Sequence, residues 1–143
     1  MILQELEFGS EQYRSACRLR EAVLRRPLGL PLSEADLRDE GNQLHFAMFA
    51  DQELVACVTA VPISTNEAKI RQTAVAPAYQ QRGVASDMMR QVEAILAARG
   101  YTSLSLHARK SAIGFYRKLG YATVGEEFIE VTVPHQKMIK KLT

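Results

Sequence analysis

Apolar residues recur at helical spacing in one long stretch of the chain, residues 84–99. One face of this stretch carries Met88, Met89, Val92, Ile95 and Leu96, and this pattern predicts an amphipathic helix. Gly100 follows the last apolar position and is typical of a helix end. A second helix is predicted to begin after Ser10, whose hydroxyl suits an N-cap, and to continue to about Arg25.

Two further helices are predicted from their end signals. Ser33 and Asp36 have the spacing of a capping box, and Gly41 suits the end of the helix that they begin. Residues 110–119 also have a helical pattern, and Gly120 follows them.

The predicted strands are short runs rich in apolar or β-branched residues, and they cover residues 1–8, 44–50, 54–61, 68–76 and 102–107. A polar turn between the second and third of these runs indicates an antiparallel hairpin, and Pro77 closes the fourth. From Tyr121 onward, two more strands are predicted with a turn near Pro134.

The order of elements is therefore β-α-α-β-β-β-α-β-α-β-β, in a single domain that covers residues 1–143. The strand–helix–strand unit of residues 68–107 is expected to be a right-handed crossover between parallel strands. The neighbouring hairpins should pair antiparallel. The sequence thus predicts an α/β fold with a single mixed, mostly antiparallel sheet, a central parallel β-α-β crossover and helices on both faces.

Composition narrows the possible functions. The chain has 47% apolar and 24% charged residues and a net charge of +2, so it gives no general reason to expect a nucleic-acid or membrane partner. The N-terminal residues include carboxylates where a secretory signal carries basic residues, and no apolar run approaches the ~20 residues of a membrane span. Cys17 and Cys57 form no CxxC pair, so we expect reduced thiols in a cytoplasmic protein without a metal site.

The sharpest chemical feature is the turn between the strand at residues 68–76 and the long helix. The first N–H groups of a helix have no partner within it, and together with the helix dipole they attract anions. Gly83 would let a ligand approach the backbone, Ala85 keeps the first turn narrow, and Ser86 can add a hydroxyl donor. Arg82 adds positive charge beside the turn. A diphosphate would fit this turn. The same residues are equally consistent with a turn in which Gly83 merely begins a helix and no ligand binds.

Two motifs together resemble the GNAT superfamily of N-acetyltransferases. The first is Gln80-x-x-Gly83-x-Ala85 after a strand that ends in Ala74-Val75-Ala76-Pro77, and it is similar to the family's acyl-CoA signature. The second runs from Phe115-Tyr116 to Lys118-Leu119-Gly120-Tyr121 and is similar to the family's "FYxKLGY" motif. A C-terminal pattern, Gly125-Glu126-Glu127-Phe128 followed by Pro134-His135 and Met138, resembles a small bacterial branch of that superfamily.

The resemblance implies an acetyl-CoA-dependent N-acetyltransferase that moves an acetyl group to a primary amine by direct transfer in a ternary complex. It also implies that coenzyme A contacts the end of the strand, the turn and the start of the helix. These residues are Ala74, Val75, Ala76, Gln80, Gln81, Arg82, Gly83, Val84, Ala85 and Ser86. The N–H group of Val75 would polarise the acetyl carbonyl, because a positioned donor stabilises the oxyanion that develops there.

The second motif places Tyr116 at the family's general-acid position and in contact with coenzyme A. A phenol has an ordinary pKa of about 10, so it stays protonated at neutral pH and can protonate the departing thiolate. Arg109 departs from the family pattern, which often has Asn or Gln at this position. It could reach a phosphate of coenzyme A, contact an acidic acceptor, or be a solvated surface side chain.

No motif marks the general base. His135, Glu126 and Glu127 are candidates from the final hairpin, and His135 suits the task because a histidine titrates near neutral pH. His45 and His107 lie in apolar strands, which favours core or edge roles for both. The acceptor is left open between a small-molecule amine and a peptide amine, and exposed C-terminal strands leave a homodimer open.

Two functions of other classes also remain open. A non-catalytic acyl-CoA-binding or regulatory module would keep the turn but lack turnover, although the presence of Tyr116 weighs against it. An unrelated α/β protein that binds a nucleotide or a phosphosugar would use the same helix end without preferring an acyl-CoA.

Overall fold

The computed structural model describes residues 1–142, and Thr143, the last residue of the predicted domain, lies outside them. The strands and α-helices are β1 Ile2–Leu6, α1 Glu11–Arg20, α2 Glu34–Leu37, β2 Leu44–Ala50, β3 Glu53–Pro62, β4 Glu67–Val75, α3 Val84–Ala98, β5 Ser103–Arg109, α4 Ile113–Lys118, β6 Ala122–Glu130 and β7 Val133–Lys141. Their order is the one that the sequence predicts. None of the helices in residues 1–142 has the length and apolar character needed to cross a bilayer.

The strands form one mixed sheet in the order β1-β2-β3-β4-β5-β7-β6. Neighbouring strands are antiparallel except for β4 and β5, which are parallel as predicted. Pairing between β4 and β5 ends at Ile70 and Leu106, although β4 continues to Val75 and β5 to Arg109. The two strands therefore separate and leave a gap in the middle of the sheet.

A bulge in β4 lies at the point where this gap opens. Between the pairs Thr59–Arg71 and Cys57–Ala74, β4 contains one residue more than β3. Gln72, in the bulge, has a φ of +60°, the left-handed region that non-glycine residues rarely adopt. A bulge bends its strand and increases the local twist, so this one turns the end of β4 away from the line of β5.

Helices cover both faces of the sheet, as predicted. Alternate residues of β2 show the division: Phe46 and Met48 enter the larger core together with α3, and Ala47 enters a smaller core with Ala16 of α1. The apolar face of α3 is buried in the larger core, where Met88, Met89, Val92 and Leu96 are all fully buried. The predicted amphipathic helix is thus confirmed.

A buried ion pair fixes the C-terminal end of α1. Arg20 donates from both terminal nitrogens to Glu40, each at 2.7 Å, and Tyr13 donates to the same carboxylate at 2.6 Å. His45 bridges the backbone oxygen of Glu40 at 2.8 Å and the hydroxyl of Thr59 at 3.1 Å. His45 is therefore a core residue with both ring nitrogens hydrogen-bonded, as the sequence predicts.

The structure confirms the first helix and its N-cap, but the C-terminal end of the helical segment differs from a regular α-helix. The Ser10 hydroxyl accepts a hydrogen bond from the Tyr13 N–H at 3.1 Å. The helical path does reach Arg25, but its last turn, Glu21–Arg25, is a π-helix. This wider turn places the backbone of Leu24 beside the gap in the sheet.

Two details of the predicted boundaries differ from the structure. α2 has the expected capping box at Ser33 but ends at Leu37, and Gly41 lies in a separate 3₁₀ turn. The final hairpin turns at Val131 and Thr132, both with positive φ, whereas Pro134 already belongs to β7 and pairs with Ile129. Proline is tolerated there because this position lies near the end of the hairpin, where ladder bonds are few.

Candidate active site

A cavity of about 340 Å³ occupies the gap between β4 and β5. Its walls come from both strands, the π-helical turn, α4 and the final hairpin. Among the predicted site residues, it brings together Tyr116, Arg109 and His135. The elements that carry these side chains are distant in sequence and meet around the gap in the sheet.

The turn predicted to bind a diphosphate lies between the end of β4 and the start of α3. Gln81 and Gly83 have left-handed φ values of +60° and +79°, and they reverse the chain into the helix. The Asp87 N–H makes the first helical hydrogen bond, to the Gly83 oxygen at 3.0 Å. The preceding N–H groups, which have no partner within the helix, belong to Val84, Ala85 and Ser86.

Space lies open in front of this helix end. A Cβ atom built on Gly83 would meet no other atom within 4 Å. Arg82 lies on the side of the turn, where its guanidinium is 5.8 Å from the centre of the Tyr79 ring. Free N–H groups, a helix dipole and a nearby guanidinium all favour an anion at this position.

Gln80 has a role that the motif alone does not reveal. Its side-chain amide donates to the backbone oxygen of Val75 at 3.0 Å. The side chain thus fixes the end of β4 against the turn, and it is engaged within the protein. Any contact between Gln80 and coenzyme A would have to be made by its backbone or by its exposed side-chain atoms.

The N–H group of Val75 faces the gap. The next residue, Ala76, donates its N–H to the Val55 oxygen of β3 at 2.8 Å. Successive N–H groups of a strand point to opposite sides, so that of Val75 points away from β3. The pairing of β4 with β5 has already ended by this residue, which leaves this N–H available to a ligand.

Tyr116 is a buried phenol in the wall of the cavity, with 8% of its surface exposed. Burial raises the pKa of Tyr116 above its ordinary value, and a hydrogen bond with Thr73 opposes part of that effect. The hydroxyl therefore stays protonated throughout the neutral range. Edge-on contacts with Phe115 and Tyr121, at centroid distances of 4.9 and 5.6 Å, hold the ring in place.

Arg109 is a half-buried side chain that links two elements of the site. Its guanidinium donates to the backbone oxygen of Leu24 in the π-helical turn at 2.9 Å. Of the alternatives that the sequence leaves open for Arg109, the structure disfavours a solvated surface side chain, because Arg109 lines the cavity and a carbonyl oxygen holds its guanidinium. Within residues 1–142 the guanidinium makes no other hydrogen bond, so its remaining nitrogens could bind a ligand.

His135 is buried in β7 and has one ring nitrogen fixed. Nδ1 lies 2.9 Å from the Val133 carbonyl oxygen, and because a carbonyl only accepts, Nδ1 carries the hydrogen. In the neutral ring Nε2 is then the nitrogen without a hydrogen, and it lies 3.8 Å from a Glu130 oxygen. If Nε2 took up a proton, the Glu130 carboxylate at that distance would attract the resulting positive charge.

Glu130 connects the two histidines of the site. Its other oxygen lies 2.9 Å from Nδ1 of His107. Burial alone would raise the pKa of Glu130, but the hydrogen bond from His107 and the nearby positive charges outweigh it and hold this pKa below its usual value. Glu130 is therefore ionised at neutral pH.

Two of these residues are missed or misjudged by sequence reasoning. Glu130 carries no local signal, and His107 lines the cavity although its apolar strand suggested a core or edge role. The other hairpin candidates, Glu126 and Glu127, are exposed and do not line the cavity, and Glu127 pairs with Lys110 at 3.5 Å. Residues 1–142 contain no group of three or more His, Cys, Asp or Glu side chains that could hold a metal ion.

Comparison with protein families and curated proteins gives two findings. The model of the acetyltransferase (GNAT) family matches residues 10–121. A Bacillus subtilis (strain 168) protein that is provisionally named an acetyltransferase is 31% identical over 140 residues, which cover 92% of each chain.

Solved structures share the whole fold. Escherichia coli ElaA has a TM-score of 0.83 at 24% identity, with 98% of this chain and 99% of that chain covered. An aminoglycoside 6'-N-acetyltransferase in complex with coenzyme A has a TM-score of 0.83 at 18% identity, covering 100% and 98% of the two chains. The chain therefore belongs to the acetyltransferase (GNAT) family and is an N-acetyltransferase.

Proposed function

We propose that this N-acetyltransferase takes acetyl-CoA as the donor and transfers the acetyl group directly to a small-molecule primary amine within a ternary complex. The observation that carries the proposal is the split between β4 and β5, which exposes the Val75 N–H and opens a cavity beside Tyr116. The free N–H groups at the start of α3 lie at the end of the same strand.

Backbone groups would provide most of the contacts with coenzyme A. The diphosphate would lie on the N–H groups of the turn and the first helical residues, namely Gln81, Arg82, Gly83, Val84, Ala85 and Ser86. The pantetheine arm would run along Ala74, Val75 and Ala76 as an added strand, using backbone groups that β5 leaves unpaired. An aminoglycoside enzyme of the same fold was solved in complex with coenzyme A, which supports coenzyme A as the ligand.

The chemical step needs a donor for the carbonyl oxygen, an acid and a base. The acceptor nitrogen attacks the thioester carbon, and the Val75 N–H stabilises the negative charge that develops on the oxygen. The carbon–sulfur bond then breaks, and the Tyr116 hydroxyl gives its proton to the departing thiolate. Nε2 of His135 takes the proton that the amine loses, and Glu130 stabilises the resulting imidazolium.

Direct transfer is supported by the position of the cysteines. An acetyl-enzyme would need an activated nucleophile in the cavity. Neither cysteine lines the cavity, and burial raises the pKa of Cys57 to about 12 and that of Cys17 above its ordinary value. Both thiols are therefore protonated at neutral pH, and the thiolate is the reactive form.

Initial-rate kinetics test this mechanism. Release of free coenzyme A is followed with a thiol reagent while acetyl-CoA and an accepted amine are varied together. Direct transfer predicts double-reciprocal lines that intersect, and no acetylated protein by mass spectrometry when acetyl-CoA is added alone. Parallel lines together with a stable acetyl-enzyme would overturn the proposal.

We further propose a cytoplasmic location, because both cysteines are free thiols, as is usual in reducing compartments.

The homodimer that the sequence leaves open stays a prediction. β6 is an outer strand of the sheet, and Ile129 on it is 69% exposed, so a second copy could pair with that edge. Sedimentation equilibrium measures this directly.

A further inference from the structure

The cavity wall carries an excess of positive charge. The cationic side chains that line it are Arg25, Lys69, Arg71 and Arg109, and the carboxylates are Asp36 and Glu130. Four positive and two negative groups leave a formal excess of +2 with the histidines neutral. The whole chain also has a net charge of +2, so the excess is concentrated around this one concave surface.

Within residues 1–142, neither carboxylate forms an ion pair with a cation on β4. Asp36 pairs with Arg25 at 3.4 Å and accepts from the Ser33 N–H at 2.9 Å. Glu130 accepts from His107 at 2.9 Å. Among residues 1–142, Lys69, Arg71 and Arg109 are thus the cations of the wall without a carboxylate partner, and of these Arg109 donates to the Leu24 oxygen instead.

The surroundings of Lys69 are unfavourable for a charge without a partner. Its ammonium is 3.3 Å from Nδ1 of His107, but a nitrogen that donates to Glu130 cannot accept from Lys69 at the same time. Burial lowers the pKa of Lys69, and repulsion from Arg71 and Lys137 outweighs the attraction of Glu130. An anion bound here would relieve this repulsion.

Lys69 and Arg71 are two residues apart on β4, so both side chains leave the same face of the strand, about 7 Å apart along it. An ammonium and a guanidinium at that spacing can share one carboxylate or phosphate group. Tyr116 and His135 lie on the wall of the same cavity. A volume of about 340 Å³ suits a small molecule.

We infer that the acceptor is a small primary amine that also carries an anionic group, a carboxylate or a phosphate, which binds to Lys69 and Arg71. The inference rests on the proposed function, because it assumes that the amine reaches His135 in the same cavity. It adds the chemical class of the acceptor. Charge-assisted hydrogen bonds at both cations would select this class over neutral amines of equal size.

Matched pairs of acceptors test the inference. β-Alanine is compared with β-alaninamide, and phosphoethanolamine with ethanolamine, in the thiol-release assay; further amino acids are compared with their amides. We expect kcat/KM to be at least about tenfold higher for the anionic member of each pair. The two kinds of pair distinguish a carboxylate from a phosphate as the preferred group.

Charge-neutral variants then locate the contact. R71Q should remove most of the preference for the anionic acceptor, and K69Q should do so as well. R14Q is the matched control, since Arg14 lies on α1 with its side chain 59% exposed and pairs with Glu11; it should retain the full preference. Thermal unfolding of each variant shows that it is folded, and because Arg71 is exposed its loss should not disturb the core.

The outcomes separate the inference from the proposed function. If neutral amines are acetylated as well as their anionic partners, or if only acidic peptides are acetylated, the inference is wrong and the transferase mechanism stands. If no amine is turned over, the inference is tested by binding instead. The protein is titrated calorimetrically with phosphoethanolamine and with β-alanine in the presence of coenzyme A. Binding that R71Q abolishes supports the inference, and absence of binding overturns it.

Discussion

The substitution Y116F removes a single oxygen atom from the wall of the cavity. The ring is 8% exposed and is held by contacts with Phe115 and Tyr121, so phenylalanine should occupy the same position. The hydroxyl is hydrogen-bonded with Thr73, and a bond of this kind contributes about 1 kcal/mol to stability. The variant should therefore fold, with only a modest fall in its melting temperature.

The expected loss of rate follows from the chemistry of the leaving group. A general acid contributes about 10²- to 10⁴-fold to a rate. A thiol has an ordinary pKa of about 8.5, so a thiolate can leave near neutral pH without a proton, and the lower end of that range applies. We expect kcat to fall about 100-fold in Y116F, which corresponds to about 2.7 kcal/mol at about 1.36 kcal/mol for each tenfold.

The pH dependence gives a second expectation for the same residue. Because burial raises the pKa of Tyr116 above about 10, its deprotonation should not limit the rate of the native protein below that pH. A basic decline in kcat that begins near pH 8 would have to come from another group. If such a decline disappears in Y116F, the structural account of this tyrosine is wrong.

Thiol release and acetyl-CoA binding are measured together for Y116F and for the control Y121F. Tyr121 is also buried, but its hydroxyl donates to Glu93 at 2.8 Å and does not line the cavity. Y121F should lose stability, since a hydrogen bond to a charged group contributes about 1.5–3 kcal/mol, and should keep its kcat. If Y116F retains a third or more of the native kcat, Tyr116 is not the general acid. If kcat falls equally in Y116F and Y121F, the loss comes from disturbed packing of the two rings and not from a missing acid.

Three further predictions concern the base, the helix end and the buried ion pair. In H135A, kcat/KM should fall and its decline toward acidic pH should flatten; an unchanged acidic limb in a pH–rate profile would contradict the role of this base. A85E should weaken acetyl-CoA binding at least about tenfold in calorimetry because it puts a carboxylate where the phosphates bind, while the melting temperature stays or rises, since a carboxylate suits a helix N-terminus. R20M leaves the Glu40 carboxylate buried and should cost about 3–5 kcal/mol of unfolding free energy in urea, whereas R14M, at an exposed pair, should cost little.

The ion pair also predicts how stability depends on pH. Burial alone would raise the pKa of Glu40, but the hydrogen bonds from Arg20 and Tyr13 outweigh it and hold this pKa below its usual value. The stabilisation is then complete above the unfolded carboxyl pKa of about 4.3 and is lost as the pH falls through the lower value of the folded state. Urea unfolding of E40Q should show a smaller loss of stability between about pH 5 and pH 2 than the native chain does.

The elements that carry strong local signals could be predicted from the sequence. The apolar spacing of α3, the Ser10 and Ser33 caps and the β2–β3 hairpin depend on neighbouring residues, and all are confirmed. The family resemblance adds the turn at Gly83 and the position of Tyr116, both of which the structure places beside the split strands.

Features that depend on distant contacts could not be predicted. A run of β-type residues gives no sign that Gln72 takes a left-handed φ, because the bulge exists only relative to the register with β3. Likewise, Glu130 is one carboxylate among several until β6 and β5 bring it to His107. For His107 a signal was present: Leu104, Leu106 and Ala108 are buried on one side of β5, so alternation places His107 on the other side.

The place of the split follows from how each strand is held. β4 remains paired with β3 up to Val75, and β5 remains paired with β7 up to Arg109, both through antiparallel ladders. Parallel pairing is slightly less stable per residue than antiparallel pairing, so when the bulge adds twist to β4, the parallel contact yields first. The backbone groups that a ligand would use are thus left unpaired at the parallel β4–β5 pair, the least stable strand pairing of the sheet. The antiparallel ladders on either side keep the Val75 N–H and the cavity wall in fixed positions.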